Sequence, residues 1–236
     1  FEIYKTISNF KIFKIILKNK LNTEFNKFKY FNPLIVNLSL ICNNQYCRII
    51  NNYNDTSILN TIQKELKNLE NDFKKLNNIN LVNLPLSNEI QNLIFYYSPS
   101  ATGASSSVNI SEENDIKKLD CTTDTIDLYV IKNNIKKIDF IKCDVEGSEL
   151  FVFQGGIESI KKYSPVIFTE MLRKWALKFN YHPNDIINLF KSVGYKCYYS
   201  CNGKLKAIEF ILEDTIPTNF FFLHPHVHAD LILKTS

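Results

Sequence analysis

Glycine is scarce in this chain: six in 236 residues, all of them at or after Gly103. The first hundred residues therefore hold no glycine-rich turn, the device by which backbone comes close to a ligand. Cysteine is present six times but forms no framework. Cys42 and Cys47 are separated by four residues, Cys197 and Cys201 by three, and Cys121 and Cys143 stand alone. No C-x-x-C occurs, and the two pairs are spaced more loosely than usual zinc pairs. The pattern predicts free buried thiols in a reducing compartment, hence a cytoplasmic protein. Long uninterrupted apolar runs are missing too. Residues 1–20 are apolar but broken by Lys5, Lys11 and Lys14, which excludes a signal-peptide core and an integral membrane segment there. Ile3, Ile7, Phe10, Phe13 and Leu17 recur at helical spacing, so an amphipathic helix is expected. A net charge of +4 with scattered lysines gives no basic stripe, so nucleic acid is not an expected partner. No internal repeat or domain linker stands out. The chain opens on Phe1 rather than Met, which reads as truncation or processing at the N-terminus.

What the chain does have is a core: 45% apolar residues and 13% aromatic. Residues 27–31 read as a short strand stopped by Asn32-Pro33, and a short apolar helix is expected over 34–42. Ile58, Ile62, Leu66, Leu69, Phe73 and Leu76 form one stripe, predicting a helix over 57–76. Strands are expected at 79–84, 93–97, 138–145, 165–171, 195–200, 207–212 and 219–224, and helices at 124–132, 149–153 and 184–193. Residues 98–107, SPSATGASSS, read as a flexible loop. Nearly continuous apolar strands alternating with helices argue for an α/β fold, a Rossmann-like doubly wound, mostly parallel sheet with an antiparallel C-terminal strand.

The stretch IDFIKCDVEGSELFVFQGG starts as a buried strand and then sets Asp144, Glu146 and Glu149 around Gly147. Ligands of open α/β sheets bind beyond the carboxyl ends of the strands. Asp144 ends one such strand, Glu146 follows in the turn, and Glu170 ends the strand PVIFTE. If those strands are neighbours, the acids meet in one crevice, able to bind a cation, hold substrate hydroxyls or act as a base. The plainer reading of Glu146 and Glu149 is that acids favour the first turn of a helix. Asp144 is harder to explain that way, because an ionised group ending a buried strand needs a partner.

The run KCDVEGSELFVFQGG followed by PVIFTE resembles the FkbM-like methyltransferase family. NINLVNLPLSNE, ATGASSSV, TTDTIDLYVIKNNIKKIDFIK and HPNDIINLFKSVGYKCYYS are similar to its other segments in the same order, over about residues 77–199. The resemblance implies one methyltransferase-like domain over 1–236, divergent or incomplete over 1–76 and recognisable over 77–236. It implies S-adenosylmethionine (SAM) as cofactor and methyl transfer, commonly to a hydroxyl oxygen of a small-molecule or glycan substrate. By it, Asp144, Glu146 and Glu170 are the expected catalytic residues, and Asn32, Asp144 and Lys142 the expected cofactor-binding ones. No metal ligand is assigned, although a divalent cation at the carboxylates is an option. The chain departs from the family in two ways. Its glycine-rich cofactor turn is missing from the first hundred residues, and the ribose-binding acid is replaced by Asn32 in one register or is Asp55 in another. The alternative is a degenerate module that kept the fold and lost SAM. A more distant one is a metal-dependent hydrolase built on His224, His226 and His228, which alternation would place on one strand face. His182 reads as a residue that opens a helix. Arg173 and Trp175 are candidates to line the crevice, with a core Trp175 the plain alternative.

Overall fold

The computed structural model describes residues 37–42, 45–50, 79–97, 106–109 and 116–235. The sequence-derived helices at 1–20 and 57–76, the strand at 27–31, and Asn32 and Asp55 lie outside the described residues, as does most of the 98–107 loop.

The described residues form ten strands: β1 (Asn37–Cys42), β2 (Gln45–Ile50), β3 (Ile79–Asn83), β4 (Asn92–Tyr97), β5 (Lys117–Thr122), β6 (Phe140–Asp144), β7 (Val166–Glu170), β8 (Lys196–Cys201), β9 (Lys204–Ile208) and β10 (Asn219–Leu223). Eight of them form one mixed sheet in the order β3-β2-β1-β6-β7-β10-β8-β9, and β4 and β5 pair separately as a hairpin. β6 and β7 are parallel neighbours at the centre, and β2, β3 and β8 run the same way. β1, β9 and β10 run against them, so the antiparallel C-terminal strand β10 is present between β7 and β8, with two further antiparallel strands elsewhere in the sheet.

Among the described residues six α-helices accompany the sheet: α1 (Ile126–Lys132), α2 (Glu149–Gln154), α3 (Ile157–Tyr163), α4 (Arg173–Ala176), α5 (Pro183–Lys191) and α6 (Ala229–Thr235). Alternation along the central strands sorts the side chains into two layers. Ile141, Ile167, Phe220 and Phe222 face α1, α2, α3 and α5, where Ile126, Phe153, Ile160 and Phe190 complete the larger core. Phe140, Val166, Phe168, Phe221 and Leu223 face the other way and meet Leu231 of α6. Both faces of the central strands β6, β7 and β10 are covered, and each fully buried phenylalanine contributes about 1.5–3 kcal/mol.

Local signals explain the helix starts. Thr125 caps α1 by accepting Leu128 N–H at 3.1 Å. His182 opens α5 as expected: its Nδ1 accepts Asn184 N–H, and Asp185 reaches back to His182 N–H in a capping box. The residue after α2 must be glycine, because a Cβ at Gly155 would lie 2.1 Å from the carbonyl oxygen of Ser87. That close approach presses the segment after β3 against α2.

Three expectations are corrected. Residues 37–42 form β1, not a helix, because this short apolar run pairs with β6 on one side and β2 on the other. The strand expected at 207–212 lies at Lys204–Ile208, where the turn Asn202 (φ 53°) and Gly203 (φ 79°) sets the hairpin with β8. β10 ends at Leu223, so the three histidines do not share a strand face; they sit in the turn before α6, and His228 Nδ1 accepts His224 N–H at 2.9 Å.

Candidate active site

β6 and β7 run in parallel register with Cys143 opposite Thr169, so the next step brings Asp144 level with Glu170 at the same sheet edge. β1 and β10 flank them in the same row, Asn37 opposite Asp144 and Asn219 opposite Glu170. The chain then turns sharply after Val145. Glu146 takes a left-handed conformation (φ 53°) and Gly147 another positive one (φ 104°). For glutamate this is uncommon and costs about 1–3 kcal/mol. The turn swings the Glu146 side chain back over the strand ends. Carboxylate oxygens of Asp144, Glu146 and Glu170 lie within 4.8 Å of one another, a group able to hold a cation.

The electrostatics follow from that crowding. Burial first, then the Asp144 and Glu170 carboxylates, push the Glu146 carboxyl up to about 8. Burial, then Asp144, then Glu149 push Glu170 up to about 7, against the lowering effects of Lys142 and an Asn219 hydrogen bond. Lys142 Nζ stands 2.7 Å from Asp144 Oδ2, a partly exposed pair at the mouth of the strand. Thus the structure brings Lys142, Asp144, Glu146 and Glu170 together. Trp175 lies beside the turn, where a Cβ added to Gly147 would meet Trp175 Cβ at 3.0 Å. The Arg173 guanidinium donates to the carbonyls of Leu212 and Glu213, and the Trp175 ring lies under Lys174 Nζ at 4.1 Å.

Glu149 was the residue least legible as part of this site. It is buried, and its carboxylate accepts Val145 N–H at 2.9 Å and Gly147 N–H at 3.1 and 3.3 Å. Burial pushes its carboxyl up, while those backbone donors oppose the shift. Tyr181 donates to Gly147 O at 2.9 Å and reaches Glu149 Oε2 at 3.3 Å. Ser106, from the serine-rich segment, donates to Glu146 O at 3.1 Å. Ser106 and Tyr181 are far from Glu149 in sequence, so local pattern gives no sign of these contacts.

Beside this turn lies a cleft of about 370 Å³. The segment after β3 (Leu84, Leu86, Ser87, Asn88) forms one wall, and Val145, Ser148, Phe151 and Phe179 form another. Its size falls in the range of small-molecule pockets, about 300–1,000 Å³. Its walls are mainly apolar and aromatic, with hydroxyl and amide groups from Ser87, Asn88, Gln91 and Ser148 and the carboxylate of Glu89. The glycine turn that the family resemblance leads one to expect is not found among the described residues. β1 reaches the acidic edge with its N-terminal end, Asn37 opposite Asp144.

Among the described residues, no three histidine nitrogens form a group that can hold a metal ion. Cys121, Cys143, Cys197 and Cys201 are free thiols. No helix among the described residues is long and apolar enough to cross a membrane.

The pattern of the methyltransferase FkbM domain family matches residues 20–197, well over half of the chain, and the chain belongs to that family. A comparison with curated proteins gives no match. Among solved structures, the methyltransferase FkbM from Methylobacillus flagellatus KT is similar, with 16% identity and a TM-score of 0.38. The alignment covers 75% of this chain and 36% of that one, so the chain spans about a third of that protein's length.

Proposed function

We propose that this FkbM-domain protein is a SAM-dependent methyltransferase acting on a hydroxyl oxygen of a small molecule or glycan. One observation carries the proposal: Asp144, Glu146 and Glu170 converge at the carboxyl ends of the central parallel strands, beside a cleft of small-molecule size. When bound, SAM supplies an electrophilic methyl group on a sulfonium. The chain's own residues then have distinct tasks. Asp144 takes the proton of the acceptor hydroxyl as the oxygen attacks, and Lys142 at 2.7 Å keeps that carboxylate oriented. Glu146 and Glu170 position the acceptor, directly or through a divalent cation held between them. Lys142 and Asp144 also border the cofactor, with Asn32 proposed at the ribose. Among the described residues four cysteines are free, three of them buried, which supports a reducing, cytoplasmic setting.

The test is transfer of labelled methyl from SAM to hydroxylated acceptors by the full-length product. Incorporation is expected, with Asp144→Ala about 10²- to 10⁴-fold slower, the range of a general base. Absence of transfer to any sugar, lipid or small-metabolite alcohol removes the proposal.

A second reading is favoured by the direction of β1: a module that kept the acidic edge and lost the cofactor. It is distinguished by SAM binding, which that module lacks.

A further inference from the structure

We infer that Glu149 is a positioning residue: together with Tyr181 and Ser106 it braces the turn that aims Glu146 at Asp144 and Glu170. The inference rests on reading Glu146 as an active-site carboxylate and adds what holds it in place.

Three observations carry it. First, the Glu149 carboxylate reaches beyond its own helix, although its own backbone N–H also donates to it. Its other backbone hydrogen bonds run backward to Val145 N–H and Gly147 N–H, both before α2 begins. Second, the turn it grips holds a glutamate with φ 53°, a conformation that needs outside support. Third, every anchor is a side chain contacting the backbone of that turn. Glu149 takes the N–H groups, Tyr181 donates to Gly147 O at 2.9 Å, and Ser106 donates to Glu146 O at 3.1 Å. Glu149 and Ser106 are almost wholly shielded from solvent, at 3% and 1% exposed. Hydrogen bonds in such a site are strong, and losing one leaves buried donors without a partner. The turn is thereby held from three separate parts of the chain: the serine-rich segment, the first residue of α2 and the residue two before α5.

The brace is tested without cofactor or acceptor. The backbone conformation of Glu146 is read by NMR from its ¹³Cα and ¹³Cβ shifts and its H^N–Hα coupling. The proteins compared are full-length wild type, Glu149→Gln, Glu149→Ala, Tyr181→Phe and Leu231→Ala. Leu231 packs on the opposite face of the sheet, so Leu231→Ala reports a loss of stability alone. Wild type and Leu231→Ala are expected to show the left-handed signature at Glu146. Glu149→Gln, whose amide can accept only part of the N–H set, shifts it toward an averaged value. Glu149→Ala loses it, and Tyr181→Phe shifts it without any change of charge. An unchanged Glu146 signature in folded Glu149→Gln overturns the inference. If Glu149→Gln does not fold, Tyr181→Phe decides in the same way. A protein that passes this test and binds no SAM keeps the brace and loses only the methyl-transfer reading.

Discussion

Asp144 and Glu170 end adjacent parallel strands one register step beyond the Cys143–Thr169 pair, and Glu146 folds back to within 4.8 Å of both. Three carboxylates so close repel one another unless protons or a cation intervene. The mutual repulsion has measurable consequences.

Glu170→Gln removes one negative neighbour from Glu146. The Glu146 carboxyl, pushed up to about 8 by burial and by Asp144 and Glu170, is expected to titrate lower in the variant. Side-chain ¹³C NMR across pH reads this directly. An unmoved midpoint means the two carboxylates do not face each other.

Stability should fall as pH rises. Glu146 and Glu170 titrate at about 8 and about 7 in the folded protein, above the ordinary 4.5. The folded state therefore binds more protons than the unfolded one between those limits. Their stabilising contribution is full below about 4.5 and is lost as pH rises through 7 and 8. Urea denaturation at pH 5 and pH 8.5 should show the wild type losing more stability than Glu146→Gln over that interval. Equal losses in the two proteins contradict the assignment.

A divalent cation should displace those protons. Calorimetric titration with Mg²⁺ or Mn²⁺ at pH 7.5, in two buffers of different ionisation enthalpy, is expected to show proton release on binding. Glu146→Gln should release fewer protons. Cation binding without proton release places the ion elsewhere.

Gly147→Ala should destabilise the protein by about 1–3 kcal/mol. The residue has φ 104°, and a Cβ would lie 2.8 and 2.9 Å from Phe179 ring carbons and 3.0 Å from Trp175 Cβ. Denaturant unfolding measures the cost. Trp175, the single tryptophan of the chain, provides a fluorescence signal beside the turn. Wild-type stability with unchanged fluorescence would mean the turn adopts another shape.

Phe190→Ala in the larger core should cost about 3–5 kcal/mol. Phe190 is fully buried, with ring centroids 4.4 Å from Phe222 and 4.7 Å from Phe153. A loss below 1 kcal/mol, measured by thermal or urea unfolding, contradicts the packing described.

The central strands and the acids at their ends were legible because both signals are local. A continuous apolar run marks a strand covered on both faces, and the carboxylates that follow fall at its carboxyl end. Residues 37–42 were misread because a short apolar run has no period that separates strand from helix; pairing with β6 decides it. β5 is not legible as a strand because four of the six residues of KKLDCT are polar, as suits a two-stranded hairpin with one wet face. α3 was hidden by the Gly155-Gly156 pair, which reads as a stop. The chain resumes a helix because Asp127 accepts Glu158 and Ser159 N–H from 31 and 32 residues away. Asn202-Gly203 is a hairpin signal that the strand expected at 207–212 does not use, and it is what places β9 at Lys204–Ile208. The role of Glu149 was not legible, since its partner Tyr181 lies 32 residues on and the helix-dipole reading accounts for a first-turn acid equally well.

The most direct test of the methyl-transfer account is calorimetric titration of the full-length product with SAM, beside Asp144→Ala. The account expects saturable binding at one site, weakened by at least about tenfold in the variant, equivalent to about 1.4 kcal/mol. No heat of binding to the wild-type full-length protein would contradict it.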